Sequence, residues 1–208
     1  MMTAVTDGRW WIGGSPCSGK STVAGLLATR SNLRLYSCDD AFERHAAAVR
    51  PDAGPTLQKV TAMSLEERLA QPVEIQVGDV FRLYREQFPL ILHDLDDAGG
   101  PVLAEGAALL PELLAGRNVP ADRAVWVVPT EDFQHRHYRQ RTWAADLLAP
   151  TSDPQRAFRR WMRRDADFAR LVAEQARELG YPVITVDGTT DATGIAATVD
   201  ALLALPRP

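Results

Sequence analysis

The sequence predicts an α/β fold in which helices cover both faces of a parallel sheet. Two observations carry this. Five short apolar runs recur along the 208 residues, and helical patterns lie between them. The runs are continuously apolar rather than alternating, as strands become when both faces of their sheet are covered. Strand and helix taking turns along a chain is the mark of stacked βαβ units.

The strands are expected at 9–13, 33–38, 101–105, 123–128 and 182–186. A helix over 20–30 follows the first. Ser64, with Glu67 three residues on, forms a capping box that opens a short helix before Pro72 interrupts it. Over 73–97, Val77, Val80, Tyr84, Phe88, Ile91 and Leu95 recur every three or four positions and line one buried face, with Pro89 expected to kink the helix. A further helix over 153–179 has Pro154 at its first position and Gly180 after its end. The last, over 191–205, carries Ile195, Val199 and Leu202 on one stripe. Between them, 49–62 contains Pro51, Gly54 and Pro55 and reads as an irregular loop.

Composition narrows the function classes. Hydrophobic residues make up 46% and charged residues 24%, which is the balance of an ordinary globular domain. A net charge of −4 speaks against a dedicated nucleic-acid binder. No apolar run is long enough to span a bilayer. The N-terminus lacks a basic start, an apolar stretch and a cleavage site, and the two cysteines, Cys17 and Cys38, suggest no disulfide framework. The expectation is a cytoplasmic protein without a membrane partner.

Gly14, Ser15, Pro16, Cys17, Ser18, Gly19, Lys20 and Ser21 reproduce G-x-x-x-x-G-K-[ST] in full, followed by Thr22. The motif lies between an apolar strand and a helix, as a phosphate-binding loop requires. Glycines allow the tight turn, backbone N–H groups converge on phosphate, and the helix dipole adds positive potential. Lys20 can reach the β- and γ-phosphates, and the Ser21 hydroxyl can join a Mg²⁺ shell. The fold expected around it is a three-layer α/β/α P-loop NTPase domain that takes ATP with Mg²⁺. No Asn-Lys-x-Asp segment for guanine occurs.

Carboxylates follow the next two strands. Asp39 and Asp40 come after the second, and Glu105 ends the third, where open α/β sheets place their ligands. A carboxylate beside a γ-phosphate can take a proton from an attacking hydroxyl. The plain alternative is that an aspartate caps the helix that follows. Arginine is dense from 131 to 170, at Arg136, Arg139, Arg141, Arg156, Arg159, Arg160, Arg163, Arg164 and Arg170. Guanidinium pairs well with phosphate oxygens, and on one continuous helix Arg136, Arg139 and Trp143 would share a face. Arg136, Arg139 and Arg163 are the expected phosphate ligands. His135 and His137 point about 200° apart on a helix and cannot chelate one ion. Cys17 reads as a spacer. The five tryptophans read as packing.

The stretches GGSPCSGKST, YSCDDAFERH, LAEGAALLP, the arginine-rich stretch and VDGTTD resemble the P-loop kinase group that includes chloramphenicol phosphotransferase, the zeta toxins, gluconate and shikimate kinases and nucleoside monophosphate kinases. The chain is also similar, over nearly its whole length, to actinobacterial ATP-binding proteins without assigned substrate. The resemblance implies a single domain with five parallel strands in the order 2-3-1-4-5, a substrate side over about 43–98 and a helical lid over about 130–165. It implies a phosphotransferase with an alcohol-group acceptor, a small metabolite, sugar or antibiotic, acting as a monomer or homodimer. Asp40, Ala41 and Phe42 match the Asp-x-Phe that holds the general base in two of these families, so the resemblance selects Asp40. It leaves Asp39 to bind Mg²⁺ through water, and Phe42, Arg44, Glu105 and Arg163 to face the acceptor. Asp187, Gly188 and Thr189 would wrap adenine. The alternatives are a nucleotide kinase, a regulatory ATPase without acceptor, and an RNA-end kinase.

Overall fold

The structure, a computed structural model, describes residues 8–206. The start of the N-terminus, which carries the expectation of no leader, lies largely outside them. Five strands form one parallel sheet: β1 (Arg9–Gly14), β2 (Arg34–Ser37), β3 (Val102–Glu105), β4 (Ala124–Pro129) and β5 (Val183–Val186), in the order β2-β3-β1-β4-β5. This is the expected order of the kinase-type P-loop NTPase fold.

Alternation along the strands divides the core in two. Trp10, Ile12, Leu103, Val125 and Val127 face α1 (Lys20–Arg30) and α10 (Ala192–Leu202). Trp11, Val102, Ala104 and Trp126 face the opposite layer, where α5 (Val73–Ala98) and α9 (Pro154–Glu178) supply Ile91, Leu95, Phe168 and Val172. The inner strands β1, β3 and β4 therefore bury both faces, which is why their sequences are largely apolar, while the edge strands β2 and β5 stay partly exposed.

Around this frame run α2 (Cys38–Ala48), α3 (Pro55–Ala62), α4 (Leu65–Ala70), α6 (Pro111–Ala115), α7 (Glu131–Arg139) and α8 (Thr142–Leu148). The capping box of α4 is present, with Ser64 and Glu67 bonded reciprocally. Two expectations need correction. The stretch 49–62 is not irregular throughout, because its second half is α3. Pro55 sits in the first turn, where a missing N–H costs nothing, and Leu57 packs with Val49 and Leu83. Glu86 of α5 accepts the N–H groups of Thr56 and Leu57 at 3.0 and 2.7 Å, replacing a local cap. The arginine-rich stretch is also broken. Gln140 ends α7 and Arg141 precedes α8, so Trp143 does not continue the face of Arg136 and Arg139.

Among the described residues, no helix is long and apolar enough to cross a membrane.

Candidate active site

The phosphate-binding loop is held by its backbone. Gly14 has φ 137°, and a Cβ there would lie 1.9 Å from the Val127 carbonyl oxygen, so the loop leaves β1 pressed against β4. Gly19, at φ 77°, turns the chain into α1 with open space around it. Only its backbone angle asks for glycine. Ser15 and Ser18 are buried, and the Ser18 Oγ has no hydrogen-bond partner. Lys20 opens α1 with its side chain 5% exposed. Cys17, at φ 66°, is more than a spacer: it packs into the cluster formed by Leu69, Tyr138, Leu148, Trp161 and Met162, tying the loop tip to α4, α7, α8 and α9. Burial, in the main, pushes its thiol up, so it is no activated nucleophile.

The carboxylates converge on Lys20. Its Nζ lies 3.8 Å from Asp39 Oδ2. Glu105 is 2% exposed and accepts a hydrogen bond from Ser21 Oγ at 3.1 Å. Burial raises the Glu105 carboxyl above its ordinary range, against the opposing pull of Lys20. Gly106 follows at φ 152°, where a Cβ would strike the Cys38 side chain at 2.5 Å, so β3 and the start of α2 close on each other.

Neither aspartate caps α2. Ser37 does, accepting the Asp40 N–H through its Oγ at 3.2 Å. Both aspartates fall in the first turn, which leaves their carboxylates free for other work. They point differently, about 100° apart around the helix. Asp39 and Phe42, three residues apart, share the side that lines a cavity of about 340 Å³ beside the loop. Both aspartates are exposed, and Asp40 is not on that lining. Helix phase therefore gives Asp39 the place beside Lys20 that the resemblance assigned to Asp40.

The cavity is walled by α2, α3, α4, α5 and α9. Phe42, Val60, Leu83, Tyr84 and Phe168 give it an apolar interior, and Pro16 of the loop borders it. Two arginines line it, Arg68 and Arg164. Arg164 donates to Asp165 Oδ1 from Nε at 2.9 Å and from Nη2 at 2.7 Å. Asp165, 3% exposed, also accepts from Trp161 Nε1 at 3.0 Å and the Tyr138 hydroxyl at 3.3 Å. One buried carboxylate thus joins α7 to α9 and holds Arg164 in place.

Other expected residues lie apart from this centre. Arg163 is turned away on α9, bonded to Asp167 at 2.9 Å, and lines a different depression with Arg170 and Arg177. Its neighbour Arg164 occupies the inward position. Arg44 is bound through two nitrogens to Asp94, which also accepts from Tyr36 and contacts His45 Nε2 at 2.8 Å, and it is not on the cavity lining. Arg139 is exposed and shares a shallow depression with Glu131, Asp132, His135 and Arg136. Arg136 donates to the Asp187 carbonyl at 3.2 Å, and Asp187 Oδ1 accepts from the Thr189 N–H and hydroxyl, which shapes the turn after β5. Gly188 lies against the Phe133 ring of α7, with room for little more than hydrogen. His137 stacks on Phe133 and His135 meets Phe158, so the two imidazoles serve separate packing contacts.

The sequence reading singled out neither Arg68, Arg164 nor Gln76. For Arg164 a signal existed: it lies three residues from Trp161 and four from Phe168, both on the buried stripe of α9. For Arg68, on the six-residue α4, there was none.

No protein-family model and no curated protein matches the chain. Similar solved structures include shikimate kinase from Acinetobacter baumannii in complex with shikimate, at 18% identity and TM-score 0.48, covering 91% of this chain and 88% of that one. A protein from Chloroflexus aurantiacus, provisionally described as a kinase, matches at 19% identity and TM-score 0.42 over 94% of this chain and 99% of its own. An uncharacterised protein from Eubacterium ventriosum matches at 18% identity and TM-score 0.40, over 92% and 97%. Likeness at this level concerns the fold and says nothing of the acceptor.

Proposed function

We propose that the chain is an ATP-dependent phosphotransferase acting on a hydroxyl group of a small molecule. One observation carries the reading. The buried amino group of Lys20, inside a complete phosphate-binding loop, faces Asp39 at 3.8 Å, and Asp39 lines a pocket of metabolite size. A phosphate cradle and a carboxylate-bearing pocket thus meet at one point.

The residues fit a nucleoside triphosphate with Mg²⁺. Lys20 is buried with only a distant, half-exposed counter-charge, and the Ser18 hydroxyl is buried without a partner. Glycine conformations at 14 and 19 open the loop backbone to phosphate. Ser21, with Glu105 behind it, is the oxygen set suited to Mg²⁺, which keeps several waters and needs few protein ligands. When bound, ATP with Mg²⁺ supplies the transferable phosphoryl group.

Each residue then has a task. Lys20 offsets negative charge at the transferring group. Asp39 orients the acceptor hydroxyl and receives its proton. The hydroxyl oxygen bonds to the γ-phosphorus of ATP, and the bond from that phosphorus to the bridging oxygen breaks to release ADP. The helices over 38–98 form the acceptor side. Helices α7 and α8 act as a lid, with Arg141, next in space to the Tyr138 and Trp143 rings, as its best-placed cation. Arg136 and Asp187 to Thr189 are assigned to the adenine side.

The test is ATP consumption across a panel of hydroxylated acceptors, with Lys20→Ala as the blank. One acceptor raising turnover far above the blank is the expected result. ATP turnover that no acceptor stimulates would overturn the acceptor reading and favour a regulatory ATPase.

A further inference from the structure

The charges lining the acceptor cavity do not cancel locally. Asp79 is satisfied by Lys59 at 2.6 Å and Arg82 at 3.1 Å, and Asp165 by Arg164. Arg68 has no ion-pair partner among the described residues, and its Nε is buried with nothing to donate to. Burial, and after it the like charge of Arg164, lowers the Arg68 pKa, which marks a cation short of an anion. A second orphan lies on the same wall. Gln76 is 6% exposed, and its Nε2 is committed to the Gln71 carbonyl at 2.8 Å, leaving Oε1 unpartnered. Unmet buried groups of this kind destabilise the fold unless a ligand completes them.

The wall is also held rigid. Arg160 of α9 donates to the Leu69 and Ala70 carbonyls at 3.0 and 2.7 Å, gripping the C-terminal end of α4. Arg68 is thereby presented on a short helix fixed from α9 and, through Gln76, from α5. Asp39 lies on the lining beside Lys20, so the cavity is polar in a directed sense, with a carboxylate near the phosphate loop, the unpaired Arg68 on another wall and the Asp165-bound Arg164 on a third.

We infer that the acceptor carries an oxyanion, carboxylate or phosphate, and that Arg68 together with Arg164 binds it while its hydroxyl faces Asp39. The assignment rests on the phosphotransferase reading above. Gln76 Oε1 accepts from a second hydroxyl of the same compound, and the rings of Tyr84 and Phe168 cover its carbon frame. At about 340 Å³ the cavity suits a compact hydroxy acid or sugar phosphate.

The test is calorimetric titration of the protein saturated with ADP and Mg²⁺, so that the phosphate loop is already filled. Matched probes are D-gluconate and D-glucose 6-phosphate against D-glucose, D-glycerate and glycerol 3-phosphate against glycerol, and quinate against its methyl ester. At least one anionic probe is expected to bind about tenfold or more tightly than its neutral match, since a charge-assisted pair is worth that much. The pair that shows the preference tells carboxylate from phosphate. Arg68→Gln should abolish the preference while ADP affinity stays at the wild-type value and the unfolding temperature does not fall, and Arg68→Lys should restore part of the preference.

Equal binding of charged and neutral probes, or no binding by any anionic probe up to about 10 mM, overturns the inference. So does an Arg68→Gln protein that loses ADP affinity but keeps the preference. Arg68-dependent anion binding without ATP consumption would uphold the inference and sink the phosphotransferase reading, so the two fail separately.

Discussion

The phosphate loop and the cavity beside it meet at Asp39 yet are built by opposite means. The loop is eight contiguous residues whose work is done by backbone: the φ of Gly14 and Gly19, the N–H groups they aim, and one lysine at the start of a helix. The cavity draws side chains from five helices spread between Asp39 and Phe168, and each contributes only if its helix is turned the right way. A backbone device can be read from consecutive residues, whereas a side-chain device depends on helix phase. The two aspartates make the point: one residue of offset separates a carboxylate facing Lys20 from one facing solvent.

The sharpest way to break this comparison is to exchange the two carboxylates' roles. Asp39→Asn should cut turnover about 10³-fold with ATP affinity retained, while Asp40→Asn should stay within about threefold. Steady-state kinetics with the best acceptor decides it, and the reverse pattern would return the base to Asp40.

Next in size is the loop itself. Gly14→Ala should cost about 3 kcal/mol or more, because its Cβ meets the Val127 backbone in addition to an unfavourable φ. Gly19→Ala should cost only about 1–2 kcal/mol, since the strain there is conformational alone. Urea unfolding of the two variants separates contact from conformation, and equal losses would contradict the distinction.

Asp94 concerns the support behind the cavity. It braces α5 against α2 through Arg44 and His45 and against β2 through Tyr36. Asp94→Asn should cost about 2–3 kcal/mol. The Arg44 guanidinium, chiefly, holds this carboxyl far below its ordinary value of 3.8. Its contribution is therefore fully present above that ordinary value and is lost as pH falls through the folded value. Stability should decline less steeply below pH 4 in Asp94→Asn than in the wild type, which unfolding curves across that range would reveal.

The smallest effect belongs to the arginine facing outward. Arg163→Ala should leave stability and turnover indistinguishable from wild type, since its Asp167 pair is a solvated one. Arg164→Ala should raise the acceptor KM several-fold. A loss of turnover in Arg163→Ala would show that this side chain leaves its Asp167 pair to act in the reaction.

Much of the fold was legible because its signals are local. Strands covered on both faces are apolar throughout, α4 announces itself by Ser64 and Glu67, and the long helices by their stripes. Less legible were α3, whose Pro55 starts a helix rather than breaking one, and the break at Gln140, where nothing in the pattern marks the end of α7.

The sequence by itself determined the strand–loop–helix that cradles phosphate, the identity of Lys20 and Ser21, and the carboxylates at the ends of the neighbouring strands, because each rests on adjacent residues and on backbone geometry. Only the tertiary structure decided that Asp39 rather than Asp40 meets Lys20, that Arg164 rather than Arg163 turns inward, and that Arg68 Nε and Gln76 Oε1 are buried with bonds unmade among the described residues. Those outcomes depend on how helices rotate to bury their apolar stripes against one another, a collective packing result that no single stretch of sequence contains.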